Sequence, residues 1–519
     1  MRRRDLLKSA AALAPLGRSA RADVPTHLWS GYDFGPGPKV AARLNQGPFG
    51  IEQDRGWFTV ATTTGSEHPV PNFGMGLVGY AWEEGGPSLA ARAGRETLEQ
   101  HVEKMASLPL ADVLYIRCDW RDVQKRPGRL DLSPVWGLTL DAARRHGRRV
   151  AFRVMLSNTV NQPRQLALPD FVREQVPVVE IGSLPEFGSF QFREPRYDHP
   201  AFQRACRELV ELLAAEFDNN PLVEWIDLMQ YGFWGESHTG GLRSPFPDYI
   251  TAERTMVALA EWQFDAFRRA QLAVNTQPDI SDVGNREVID LAVRAGCWLR
   301  SDSILVEEPE QIEELANRPP WLAAILEDGY FRRYDTATPG YLPVDSAGIN
   351  LLEVSMLHVL DLGANYWSLW TEADNVARYH ERFPRGLTRL GQRMGYRVRP
   401  SWIWQRKRYG MNELVVAFAN DGVAGVPGVL RVDLKTADGR VIAGGGLDAG
   451  HPYGGRTRQA AFLLPRELEG QAVHLAAGIE TKAGIRRPVR WACEQPLEQD
   501  GSLRIEVKRQ EDRDWRKGI

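Results

Sequence analysis

The sequence predicts an α/β protein, a (β/α)8 TIM barrel followed by a smaller antiparallel β-sandwich. Three observations lead there. Between about residues 75 and 395, short β-branched or aromatic runs alternate with longer amphipathic runs, eight short runs in all. No Gly-rich phosphate turn follows the first of them, which argues against a doubly wound open sheet. After about residue 398 the alternation stops, and short strands separated by turns take over. A chain of 519 residues has room for both units.

Residues 1–22, MRRRDLLKSAAALAPLGRSARA, have a basic start, a short apolar middle and an Ala20-Arg21-Ala22 ending. They read as a cleavable export signal, because the apolar stretch is too short to cross a bilayer. Arg3-Arg4-Asp5-Leu6-Leu7-Lys8 resembles the twin-arginine signature, which implies export of a folded chain to a periplasmic or secreted location. Residues 23–70, rich in Gly, Pro and Thr, read as an extended lead-in.

The barrel is expected over 71–397. Its strands are predicted at 76–82, 112–120, 149–156, 222–233, 272–277, 297–302, 321–327 and 364–370. Helical periodicity marks 95–108, 202–217, 255–270, 286–295 and 350–362. Long connections follow the third strand (157–200) and the seventh (328–346), on the side where such a barrel builds its active face. Residues 398–510 carry runs such as ELVVAFAN, VLRVDLKT and AVHLAAGIE, which predict the sandwich, and a charged tail closes the chain at 511–519.

Residues 1–22 hold six basic side chains and one acid, so their removal takes the formal net charge from −3 to −8. An acidic mature chain argues against nucleic acid or an anionic membrane as the main partner, and no later run is long enough to insert in a membrane. Cys118, Cys206, Cys297 and Cys493 form no CxxC or Cys/His ligand spacing, and the ten histidines include no HxH. No metal or other cofactor is therefore expected.

The chemistry is expected at two strand ends. Glu236, in YGFWGESH, lies where the fourth predicted strand runs out, and Glu327, in WLAAILEDGY, closes the seventh. Strands four and seven lie roughly opposite one another across a barrel mouth. Paired carboxyls there suit glycosidic cleavage: one donates a proton to the leaving oxygen, the other attacks the anomeric carbon or activates water. Phe233 and Trp234 are expected to surround Glu236 and raise its pKa, and Gly235 to let the chain turn. His238 and Ser237 are placed to hydrogen-bond the acid or a sugar hydroxyl; His238 and His199 also have plain structural roles open to them.

Arg117 and Trp120 end the second strand, and Trp367 and Trp370 the eighth, with Asn365 before them and Tyr330 in the loop after the seventh. Arg117 either steadies a carboxylate or pairs with Asp119. The tryptophans suit stacking on sugar rings and suit an apolar core equally well. Asp227 and Asp302 lie on or near strand ends, either as barrel-interior partners or as sugar contacts; Asp328 competes with Glu327 for its role.

A glutamate ending strand four and another ending strand seven resemble the clan of retaining (β/α)8 glycoside hydrolases. The segments 72–82, 115–133, 194–238 and 419–441 are similar to exported bacterial beta-galactosidase-like proteins of a domain-of-unknown-function family. The resemblance implies Glu236 as acid/base, Glu327 as nucleophile, Arg117 beside the nucleophile and an oligo- or polysaccharide as substrate. One departure is Gly235, where the clan places an asparagine that contacts a substrate hydroxyl. A barrel that binds carbohydrate without cleaving it is the alternative; it needs the aromatic platforms but not both glutamates.

Overall fold

The computed structural model describes residues 57–82, 96–158, 166–185, 188–277, 285–305, 307–328, 351–382, 384–408, 411–482 and 484–509. The export-signal residues, the first part of the lead-in and the charged tail lie outside them.

Eight parallel strands close into a barrel in chain order. They are β1 (Gly76–Trp82), β2 (Ala111–Asp119), β3 (Arg149–Met155), β4 (Val223–Asp227), β5 (Gln271–Asn275), β6 (Trp298–Ser301), β7 (Ala324–Glu327) and β8 (Tyr366–Leu369), with β8 pairing back onto β1. Each strand is followed by a helix: α1 (Leu98–Ser107), α2 (Pro134–His146), α3 (Pro200–Phe217), α4 (Tyr249–Ala266), α5 (Asn285–Arg294), α6 (Pro309–Ala316), α7 (Leu351–Asp361) and, after β8, α8 (Ala373–Arg382) with α9 (Pro384–Gly391). The fourth predicted strand is shorter than its apolar run, because the chain leaves the ladder toward the site loop after Leu228, whose N–H makes the last bond to Ala273 O.

Local chemistry sets the helix ends. Thr97 and Gln100 form a reciprocal capping box at the start of α1. Pro134 and Pro200 open α2 and α3, where no intrahelical N–H is needed. Gly147, at φ 63°, ends α2 in the left-handed region. His199 is a cap: its Nδ1 accepts from Ala201 N–H at the start of α3.

The two-residue strand period divides the core. On β2, Leu114, Ile116 and Cys118 face outward to the helices, whereas Val113 and Tyr115 face inward. The inward apolar set also includes Phe73, Val78, Trp225, Trp298, Ile325 and Tyr366. These rings seal the barrel at the N-terminal ends of its strands. One residue further along each inward row the character becomes polar: Arg117 follows Tyr115, Asp227 follows Trp225, Arg300 follows Trp298 and Glu327 follows Ile325, each at i+2.

The second unit is an antiparallel pair of sheets. One joins β9 (Val398–Arg408), β10 (Met411–Asn420) and β13 (Thr457–Leu464). The other joins β11 (Val429–Lys435), β12 (Val441–Gly446), β14 (Ala472–Lys482), β15 (Ile485–Val489) and β16 (Leu503–Glu506). Alternate residues of facing strands, among them Val416, Phe418, Leu430, Val432, Leu475 and Ile479, fill the space between. Trp57–Thr62, from the stretch read as lead-in, is an edge strand paired with β9. All four cysteines are buried and free.

Candidate active site

The loop after β4 is wound tightly on itself. Gly232, Trp234, Gly235 and Ser237 all take positive φ, at 77°, 55°, 70° and 62°. For Trp234 and Ser237 this is sparsely populated backbone, held by the surroundings. Phe233 N–H donates to His238 O at 2.8 Å, and Ser237 N–H donates to Tyr231 O at 3.1 Å. Gly232 has no room for a side chain, since a Cβ would lie 2.2 Å from His238 O. A clamp holds the loop from outside. Gly232 N–H donates to Tyr197 Oη, Tyr197 Oη–H donates to Glu194, and Ser157 Oγ–H donates to the same carboxyl. Burial raises Glu194 to about 7.

The loop delivers Glu236 into the polar half of the barrel. Arg117 Nη2 donates to Glu236 Oε1 at 2.5 Å and lies 3.5 Å from Glu327 Oε2. One guanidinium nitrogen thus touches both glutamates, and those oxygens stand within about 6 Å of each other, on the scale of a glycosidase carboxyl pair. Both side chains are buried, Glu236 at 5% exposure and Glu327 at 2%.

Glu327 accepts on Oε2 from Tyr80 Oη–H and from Arg300 Nη2. Among the described residues no donor reaches its Oε1. Glu236 has a different setting. Arg153 Nη1 donates to Oε1 at 3.3 Å, and His238 Nε2 lies 3.2 Å from Oε2. Gly240 N–H donates to His238 Nδ1, so the ring proton is on Nε2 and faces the glutamate. Burial raises Glu236 to about 8, with the charge of Asp302 adding to the rise and Arg117 and Arg153 opposing it. Burial also raises Glu327 to about 8, opposed by Arg117 and Arg300. Asp302 raises Glu327 as well, so both glutamates are held above the usual carboxylate range.

Asp302 lies just past the end of β6, and all three arginines converge on it. Arg300 Nε donates to Oδ1 at 2.7 Å; Arg153 and Arg117 donate to Oδ2 at 3.0 and 3.3 Å, joined by Asn275 Nδ2. Burial works against its charge, but Arg153, Arg300 and Arg117 outweigh that and hold Asp302 well below the usual carboxylate range. Asp227 completes the set, accepting from Arg153, Tyr115 and Trp225. Among the described residues no group of three or more ligating side chains is placed to hold a metal ion; these acids turn toward arginines instead.

The remaining sequence-predicted residues divide. Arg117 pairs with the glutamates and not with Asp119, which accepts from Arg121 and Asn158. Trp370 packs against the inward set. Trp120 and Trp367 are on the outward phase, in the core under the helices, Trp120 donating to Gln124 and packing on Phe202. The site does not include them, because they sit one residue out of phase with Asp119 and Ser368. Asn365 is at the opposite end of the barrel: it precedes β8, donates to Gly74 O and accepts from Ala324 N–H. Trp234 and Phe233 pack on the hairpin of Val178–Gly182 and Phe192–Pro195 and on the ring of His238, whose Nε2 meets Glu236. Tyr330 lies outside the described residues. Asp328 follows Glu327 into the loop, donating its backbone N–H to Ser368 O. Sequence reasoning missed Tyr80, Arg153, Arg300 and Asn275. The available signal was a polar side chain at an inward phase inside an otherwise apolar run.

No protein-family model matches the chain, and no curated protein matches it. Solved structures similar to it include the exo-beta-1,4-mannosidase Op5Man5 from Opitutaceae bacterium strain TAV5. Identity there is 13%, with 57% of this chain and 52% of that one covered, at a TM-score of 0.35. A beta-galactosidase from Rahnella sp. R3 is 12% identical over 62% of this chain and 57% of that one, TM-score 0.40. Xylanase XynB from Paenibacillus barcinonensis is 10% identical over 57% of this chain and 83% of that one, TM-score 0.32. The chain thus spans little more than half the length of the mannosidase and the galactosidase it matches.

Proposed function

We propose that the chain is a glycoside hydrolase that cleaves an oligo- or polysaccharide with retention of configuration. The observation that carries this reading is the single guanidinium, Arg117, between Glu236 and Glu327 at the mouth of the barrel. The two oxygens that Arg117 touches stand within about 6 Å of each other, short of the ~6.5–9.5 Å that leaves space for a water. Glu236, protonated, donates to the departing glycosidic oxygen. Glu327 attacks the anomeric carbon through Oε1, while Tyr80 and Arg300 hold Oε2. The C–O bond breaks as a glycosyl ester forms on Glu327. Water then attacks that ester and loses its proton to Glu236, which regenerates both carboxyls. The same reading places the enzyme outside the cytoplasm, carried there by residues 1–22.

The test is a panel of aryl-glycosides with the wild type and Glu327→Ala. The variant is expected to lose turnover by about 10³-fold or more and to regain it with azide, giving a glycosyl azide of inverted configuration. Oligosaccharide binding without hydrolysis by the wild type across the panel would overturn the reading in favour of a binding protein.

A further inference from the structure

We infer that Glu194 is a positioning residue for Glu236, acting through Tyr197 on the backbone of Gly232. The inference deepens the hydrolase reading and rests on it for the role of Glu236. It also gives a task to the long connection after β3, which supplies Ser157, Glu194 and Tyr197. Glu194 acts from a distance: among the described residues the side chain of Glu236 meets Arg117, Arg153 and His238 instead.

The basis is the direction of three hydrogen bonds. Gly232 N–H donates to Tyr197 Oη at 3.0 Å. A tyrosine hydroxyl has one proton, and this one runs to Glu194 Oε2 at 2.5 Å. Ser157 Oγ–H donates to the other oxygen, Oε1, at 2.6 Å. Ser157, Glu194 and Tyr197 are all buried, so a bond lost in this chain is not replaced by water. Among the described residues no cation pairs with Glu194, so its carboxyl is not half of a structural ion pair; its donors are the two hydroxyls.

The far end of the chain is the loop that carries Glu236. Trp234 and Ser237 stand there at φ 55° and 62°, backbone that persists only where the surroundings over-determine it. Three side chains from outside the loop grip its backbone: Tyr197 at Gly232 N–H, Arg153 at Trp234 O and Asn285 at Ser237 O. Tyr197 alone of the three takes an N–H, at the start of the tight turn. The same connection also seats its rings on the loop, with Phe192 and Phe233 centroids 5.2 Å apart and Tyr197 and Tyr231 6.1 Å apart. Without an acceptor at 194 the Tyr197 proton is orphaned, the hold on Gly232 loosens, and the turn that aims Glu236 relaxes.

The experiment compares Glu194→Leu, Glu194→Gln, Tyr197→Phe and the double variant Glu194→Leu/Tyr197→Phe. Each is read as kcat/KM on an alkyl glycoside, whose leaving group needs a proton, and on a dinitrophenyl glycoside, whose leaving group does not. Glu194→Leu and Tyr197→Phe should each lose about tenfold or more on the alkyl glycoside and stay within about threefold on the other. The double variant should fall no more than about twofold below the weaker single one, because both changes cut the same chain. Glu194→Gln should restore activity: its amide oxygen still accepts from Tyr197, and its amide N–H donates to Ser157 Oγ. Additive losses, equal loss on both substrates, or a glutamine as harmful as leucine overturn the inference. Amide hydrogen exchange at Gly232 gives a reading independent of turnover. It should quicken by about tenfold or more in Glu194→Leu and Tyr197→Phe and stay near the wild-type rate in Glu194→Gln. Unchanged exchange in Glu194→Leu overturns the inference alone. Failure of the wild type to hydrolyse any glycoside, with the exchange pattern as expected, overturns the hydrolase reading and leaves the hold of Glu194 on the loop standing.

Discussion

The lower and upper halves of the barrel interior are built on the same strands and the same inward phase, yet they hold opposite chemistry. Below, Trp225, Trp298, Tyr366 and Phe73 lie ring against ring, with Trp225 and Tyr366 centroids 4.8 Å apart and Phe73 and Trp298 5.6 Å apart. Above, on the next inward residue of β4 and β6, stand Asp227 and Arg300. The contrast teaches that the aromatic floor is part of the electrostatics. It excludes water from beneath the charges, and in that setting a guanidinium moves a neighbouring carboxyl much further than it would at a surface. The floor contributes stability; the polar half gives some of it up for sites that respond to protons.

Three substitutions break or sharpen that contrast. The largest effect is expected from Arg300→Met, which leaves Asp227, Asp302 and Glu327 without their shared cation. It should lower kcat by about 10²-fold or more and destabilise the fold by about 3–5 kcal/mol, read as turnover and as the urea midpoint. Trp298→Ala acts on the floor. It should cost a similar ~3–5 kcal/mol through the cavity it leaves, with kcat of the folded enzyme within about threefold. If Trp298→Ala lowered turnover as far as Arg300→Met, the two halves would not be separable. The smallest effect is expected from Trp120→Phe, outside both halves. Loss of the donation to Gln124 should cost about 1 kcal/mol, with KM unchanged within about twofold.

The barrel was legible in the sequence because its eight strands and five of its helices announce themselves locally by their period; Pro134–His146, Pro309–Ala316, Ala373–Arg382 and Pro384–Gly391 were not read from it. Glu236 and Glu327 were legible because they end apolar runs. Their partners were harder to read. Arg153 and Arg300 lie within strands, and nothing local says that residues from β2, β3 and β6 converge on one aspartate; barrel closure makes that contact. Trp120 and Trp367 show the opposite error. An aromatic ring at a strand end suggests a platform, but phase, not position along the strand, decides which way it faces. Phe233 and Trp234 adjoin Glu236 in sequence, and their rings pack on His238, whose Nε2 meets the carboxyl.

The sandwich holds the barrel from underneath. Lys482 Nζ donates to Phe267 O and Ala270 O just before β5, Arg487 Nη1 to Pro221 O just before β4, and Tyr396 Oη–H to Phe73 O just before β1. Every one of these anchors is at the end of the barrel remote from Glu236 and Glu327. Under the proposed function, a glycan crossing the opening that Glu236 and Glu327 line would run over one pole while the sandwich occupies the other. On that reading, any affinity of the sandwich for glycan would tether the protein to bulk material rather than feed a strand toward the two glutamates.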